Sequence, residues 1–115
     1  PVLQDHYEYL LQGNTITYEK CRVRLVQQTL LDYSDHQTYD LIFYDAFSPS
    51  SQQSMWEPAS LSKVADLLAP GGRLVTYCIR GYIKRQFLDL GLQVEKLPGP
   101  PGKREMMRIT KPLYV

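Results

Sequence analysis

The chain is 115 residues long, 43% hydrophobic and 22% charged, with a net charge of +1. That length suits one compact domain, and the composition excludes a disordered chain. No apolar run approaches the roughly 20 residues that cross a bilayer, and the N-terminus lacks a basic-then-apolar leader, so no membrane partner is expected.

Residues 1–38 read as a helix, a strand and a connection. Pro1-Val2-Leu3, without an initiator Met, reads as an entry into the middle of a longer protein. The spacing of Leu3, Tyr7, Leu10 and Leu11 predicts a helix over 2–12, stopped by Gly13-Asn14. Residues 15–18 suit a short extended piece, and the alternation of 22–26 suits a strand. A short helical turn and a loop come next.

From Tyr39 the pattern becomes regular. Residues 39–44 are an almost continuous apolar run ending at Asp45, as expected of a strand buried on both faces of a parallel sheet. Residues 46–57, rich in Ser, Pro and Gln, predict a long loop. Pro58 and the spacing of Leu61, Val64, Ala65, Leu67 and Leu68 predict a helix, ended by a Pro70-Gly71-Gly72 turn. Beyond it come a strand over 73–78, a helix over 81–90 with Ile83, Phe87, Leu88 and Leu90 as its apolar face, and a strand over 92–97. The stiff Pro98-Gly99-Pro100-Pro101-Gly102 turn then leads into a last strand over 105–110, which must run antiparallel to its predecessor.

Alternating strands and helices imply a parallel sheet with helices on its faces. The closing antiparallel hairpin is the distinctive feature. Over 39–110 this order resembles the C-terminal half of a class I S-adenosylmethionine-dependent methyltransferase sheet, an α/β, Rossmann-like fold. The expectation is a single partial domain over 1–115 whose N-terminal, cofactor-loop half is missing.

Asp45 is the first candidate for chemistry. An acid closing a buried strand sits at the sheet edge where open α/β folds bind ligands. By itself it fits a turn aspartate equally well; the Ala46-Phe47-Ser48-Pro49 after it looks like a shaped pocket rim. Trp56, the only tryptophan, either anchors its loop on the core or walls a pocket. Cys21 and Cys78 are too few and too far apart for a disulfide framework or metal site, so no metal is expected.

Charge is uneven along the chain. Residues 1–79 carry five cations against nine acids, and residues 80–115 carry eight cations against three acids. A solvated face explains such a bias more often than RNA does. Even so, Arg80, Lys84 and Arg85 open a helix where cations gain nothing from its dipole, and Lys103-Arg104 come after a rigid turn. Both groups are candidate phosphate contacts.

Two stretches carry a closer resemblance. Tyr39-Asp40-Leu41-Ile42-Phe43-Tyr44-Asp45-Ala46-Phe47-Ser48-Pro49 with Met55-Trp56, and Pro98-Gly99-Pro100-Pro101-Gly102-Lys103-Arg104-Glu105-Met106, flank Leu68-Ala69-Pro70-Gly71-Gly72-Arg73-Leu74-Val75-Thr76-Tyr77. The series is similar to the methyltransferase domain of the MnmC family and its stand-alone MnmD relatives. That family transfers methyl from S-adenosylmethionine to the amino group of 5-aminomethyl-2-thiouridine at the tRNA wobble position, a cytoplasmic reaction. The resemblance implies Asp45 as the active-site acid beside amine and cofactor. Phe47, Pro49 and Trp56 would then shape the pocket around the uracil, with Tyr77, Lys103 and Arg104 as further substrate contacts, and the basic Arg80, Lys84 and Arg85 would meet the tRNA. Where the family carries a Gly-Asp pair near the adenine, this chain has Gln27-Gln28. The Gly-rich loop and the acid that hold the donor's methionine and ribose have no counterpart, so half a cofactor site is expected and the isolated piece is expected to be inactive. Two alternatives stay open: a class I methyltransferase with another acceptor, and a non-enzymatic RNA-binding module. A truncated parallel sheet would also leave a bare strand edge, which favours a homodimer.

Overall fold

The computed structural model describes residues 2–34, 36–46, 48–102 and 105–113, with side chains from His6 onward. The first helix, α1 (Val2–Leu11), ends as its sequence predicts, with Gly13 at φ 86°. Its expected apolar face is not buried: Tyr7 and Leu11 are exposed. The reason lies in the next two strands, which give it no sheet to pack on. Strands β1 (Ile16–Tyr18) and β2 (Cys21–Val23) pair only with each other, as a separate antiparallel hairpin. The strand expected over 22–26 is therefore cut short, because its three-residue partner runs out. The predicted helical turn survives, with the Tyr33 amide donating to the Thr29 carbonyl at 3.1 Å.

The main sheet has four strands in the order β3-β4-β6-β5. Strand β3 (Tyr39–Phe43) is parallel to β4 (Leu68–Thr76), with Leu41, Ile42 and Phe43 opposite Arg73, Leu74 and Val75. Between them lie a loop containing one 3₁₀ turn (Gln53–Trp56) and helix α2 (Pro58–Leu67). Helix α3 (Gly81–Asp89) leads to β5 (Gln93–Leu97) and then to β6 (Met106–Thr110). As the short turn between them requires, β5 and β6 are antiparallel, and β6 inserts between β5 and β4.

The predicted turn at residues 70–72 is instead part of β4, which runs extended from Leu68. The parallel register slips there: Tyr39 faces Leu68, but Leu41 already faces Arg73. Gly71 takes up the slip at φ 79°. Gly72 lies so close to the start of β3 that a Cβ would sit 2.8 Å from the Ala69 carbonyl oxygen and 2.9 Å from that of Tyr39.

The core sits on one face of the sheet. Leu61, Val64, Ala65 and Leu68 of the α2 region, Leu74, Ile83, Phe87, Met107 and Ile109 form one buried cluster. Each fully buried aliphatic or aromatic side chain there contributes about 1.5–3 kcal/mol. Alternation along the strands gives the other face to solvent. Leu41 is 52% exposed, Phe43 73% and Tyr77 46%. This corrects the expectation that β3 is buried on both faces and that helices cover both sides. Strand β3 is the sheet's edge, and α2 and α3 pack on the same side. It also explains why Leu88 and Leu90, expected on the buried stripe of α3, are exposed. Ile83 and Phe87 alone, one turn apart, reach the sheet. Among the described residues no helix is long and apolar enough to cross a membrane.

Candidate functional site

Pairing between β3 and β4 extends one residue past β3, where the Tyr44 amide donates to the Val75 carbonyl at 2.9 Å. Asp45 is the next residue. It is exposed, and its carboxylate makes no hydrogen bond or ion pair with the described residues. A cavity of about 350 Å³ opens there, walled by Asp45, Pro49, Trp56, Thr76, Tyr77 and Arg80. That volume lies in the range of small-ligand pockets, and the wall sets one acid and one cation among aromatic, apolar and hydroxyl-bearing side chains. A smaller apolar cleft continues from Asp45 along the open sheet face past Phe43, Val75, Tyr77 and Met106.

The loop that roofs the cavity is held down from below. Tyr44 is buried, and its hydroxyl donates to the Met55 carbonyl. Its ring meets Trp56 edge to face, with centroids 5.0 Å apart and planes at 83°. Trp56 is buried too, and its carbonyl accepts from Gln86 Nε2 of α3 at 3.2 Å. Ser60 Oγ donates to the Ser54 carbonyl at 2.6 Å, tying the loop to the start of α2. Trp56 anchors the loop on the core and also lines the cavity. Burial pushes the Tyr44 phenol up to about 12, so it stays a neutral donor.

The candidates from the sequence divide into three groups. Asp45, Pro49, Trp56, Tyr77 and Arg80 come together around one cavity. Lys84 and Arg85 are exposed on α3, beyond the residues that line it. Gln27 and Gln28 are exposed in the connection after β2 and do not line it either, because β2 belongs to the separate hairpin and never joins the main sheet. Phe47, Lys103 and Arg104 lie outside the described residues.

The basic C-terminal stretch is less free than its composition indicates. Lys111 Nζ donates to the Ala65 and Leu68 carbonyls, both at 3.0 Å, closing the C-terminal end of α2. Arg108 faces Glu95 across the β5–β6 register and bonds both carboxylate oxygens at 3.1 Å. Lys96 lies 3.5 Å from Glu105.

Sequence reasoning passed over Tyr44 and Gln86. Tyr44 sits inside an apolar run and directly before the candidate acid, a signal that was available. Gln86 lies 30 residues from Trp56, and nothing local marks it.

A mixed sheet that is parallel up to a final reversed hairpin, with an acid at the carboxyl end of a strand over a ligand-sized cavity, defines a methyltransferase-type α/β fold. The chain belongs to the family of S-adenosyl-L-methionine-dependent methyltransferases, whose model matches residues 2–112. It is 38% identical over 69 residues to the tRNA 5-methylaminomethyl-2-thiouridine biosynthesis bifunctional protein MnmC of Stutzerimonas stutzeri, a stretch covering 60% of this chain and 10% of that protein. The MnmC of Aromatoleum aromaticum is also 38% identical over 69 residues, covering 60% of this chain and 11% of the relative. The chain thus matches about a tenth of the length of these curated relatives. In structure it resembles MNMC2 from Aquifex aeolicus, with a TM-score of 0.73 at 20% identity, covering 100% of this chain and 38% of that one. The N-methyltransferase NodS from Bradyrhizobium japonicum WM9 is more distant, with a TM-score of 0.51 at 16% identity over 74% of this chain and 57% of the other. Both share the fold.

The family's methyl donor is S-adenosyl-L-methionine. The described residues fit only part of what that molecule requires. Asp45 and the aromatic walls make one side of a site. The glutamines expected at the adenine lie elsewhere, and among the described residues no strand joins β3 on the side away from β4.

Proposed function

We propose that this chain is the acceptor half of an enzyme that methylates the amino group of 5-aminomethyl-2-thiouridine at the wobble position of tRNA, with S-adenosyl-L-methionine as donor, in the cytoplasm. The observation that carries the reading is the exposed Asp45 at the end of β3, facing a cavity walled by Trp56, Tyr77, Pro49 and Arg80. Further support comes from the family and from the names of the curated relatives.

The chemistry is set by the acceptor. A protonated amine has no lone pair to give, so it must lose a proton before it acts as a nucleophile. The Asp45 carboxylate is suited to accept that proton and to hold the nitrogen in line. Trp56, Tyr77 and Pro49 offer flat apolar walls for a uracil ring. Arg80 at the mouth, with Lys84 and Arg85 along α3 and Lys103-Arg104 after the rigid turn, supplies cations for the RNA backbone. The donor's adenosine is not assigned to Gln27 and Gln28, which are exposed in the connection after β2 and do not line the cavity.

The test is a nucleoside digest of tRNA from cells in which the gene is deleted. Unmethylated 5-aminomethyl-2-thiouridine accumulates if the reading is right. Unchanged wobble nucleosides overturn it and favour another acceptor.

A further inference from the structure

A second cleft, of about 270 Å³, lies beside the Asp45 cavity. The two share Pro49, Trp56 and Arg80 as a common wall. The far side of the second cleft is built by Tyr82 and Gln86 of α3 and by Glu57. Tyr82 is 52% exposed. The core contacts of α3 are made by Ile83 and Phe87, and Tyr82 lies outside that buried cluster. Gln86 fixes the shared wall. Its Nε2 is used on the Trp56 carbonyl, while its Oε1 is enclosed with no donor among the described residues. A buried acceptor without a donor carries a desolvation cost with nothing to offset it.

Two adjacent clefts bridged by one exposed cation suit a ligand with two flat bodies joined by an anion. We propose that the second cleft is the subsite for the nucleotide next to the one presented to Asp45. Its base stacks on Tyr82, and the phosphate linking the two nucleotides meets Arg80. Glu57 in the same cleft argues against a free phosphate and for a base edge, which brings N–H donors. Stacking on one exposed ring accepts any base, because every base has a π-face. The proposal rests on the reading of the acceptor as a nucleoside within an RNA strand.

The experiment uses this chain and three fluorescently labelled RNA pentamers: one intact with a central uridine, and two with an abasic residue immediately before or after it. Anisotropy titrations give the affinities. One abasic pentamer should bind more weakly than the intact one by about 5- to 100-fold, the range expected for a lost base stack. Tyr82→Ala should weaken the intact RNA by a similar factor and erase its advantage over that abasic RNA, while Tyr82→Phe should keep it. Unchanged Trp56 emission and far-ultraviolet circular dichroism serve as the fold control. If the wild type binds all three RNAs alike, or Tyr82→Ala weakens all three equally, the subsite is overturned and the acceptor reading stands. If the chain binds none of them, the nucleic-acid reading falls and the subsite falls with it.

Discussion

Tyr44 and Asp45 are neighbours in the chain with opposite surroundings. One is buried under the loop and the other is open to the cavity. Because Asp45 has no partner among the described residues, removing its charge leaves stability within about 0.5 kcal/mol. In the full-length enzyme, Asp45→Asn is expected to lower tRNA methylation by about 100-fold or more, the usual weight of a positioned acid–base group. Nucleoside digestion after a timed reaction measures this, and near-normal turnover would remove Asp45 from the chemistry. Tyr44 should show its role through pH. Its folded pKa of about 12 lies above the ordinary 10.0, so the neutral phenol is the form that folding favours. The associated stability is intact below pH 10 and is lost as pH rises from 10 toward 12. A shift of that size is worth on the order of 2–3 kcal/mol. Tyr44→Phe cannot ionise, so its urea midpoint should fall less steeply over that window than that of the wild type. At neutral pH it should be less stable by about 1 kcal/mol, because the Met55 carbonyl loses its donor. Parallel slopes for the two proteins would refute this. The acid was legible from its place after an apolar run. The tyrosine beneath it was marked only by its place in the same run, since its partners Met55 and Trp56 are reached only when the loop folds back.

At the scale of the elements, α2 is held at its C-terminal end by a side chain from beyond β6. Lys111 satisfies the Ala65 and Leu68 carbonyls, where a helix has orphan acceptors and a negative dipole end. Lys111→Met keeps the apolar stem and removes the charge. Equilibrium urea unfolding should show a loss of about 1–3 kcal/mol, as for hydrogen bonds made by a charged donor. An unchanged midpoint would mean that water replaces the ammonium without loss. Composition alone could not separate this lysine from the exposed Lys84 and Arg85, because the distinction depends on which residue of β6's continuation reaches α2. Lys84 and Arg85 are the ones expected to meet RNA. Changing both to Gln should lower the slope of log affinity against log salt by about 2 in magnitude, with little effect on folding. The order and type of the elements after Tyr39 were readable from apolar periodicity, Pro58, Gly91 and the Pro-Gly turn. The extent of β4 was not, because Pro70-Gly71-Gly72 reads as punctuation unless one knows that β3 runs against Gly72.

At the scale of the whole molecule, the two edges of the described sheet differ. Strand β5 closes one edge with a short, charged strand, whose Glu95 and Lys96 pair with Arg108 and Glu105. Strand β3 closes the other with exposed Leu41 and Phe43 on one face and, among the described residues, no further strand beside it. Periodicity could not reveal this, because an apolar run looks the same whether a neighbouring strand covers it or solvent does. Open edges with apolar side chains are templates for further pairing. We expect this chain to self-associate through β3, giving a concentration-dependent dimer in sedimentation velocity. Phe43→Lys should return it to a monomer without loss of fold, since that side chain is 73% exposed and belongs to no core. A monomer at every concentration would remove the edge as an association site. The same edge bears on the donor. If the described half carries only the acceptor side, titration calorimetry of this chain with S-adenosyl-L-methionine should show no micromolar binding. Micromolar binding would mean that Asp45 and its aromatic walls hold the donor with the described elements alone, and the division into acceptor and donor halves would have to be abandoned.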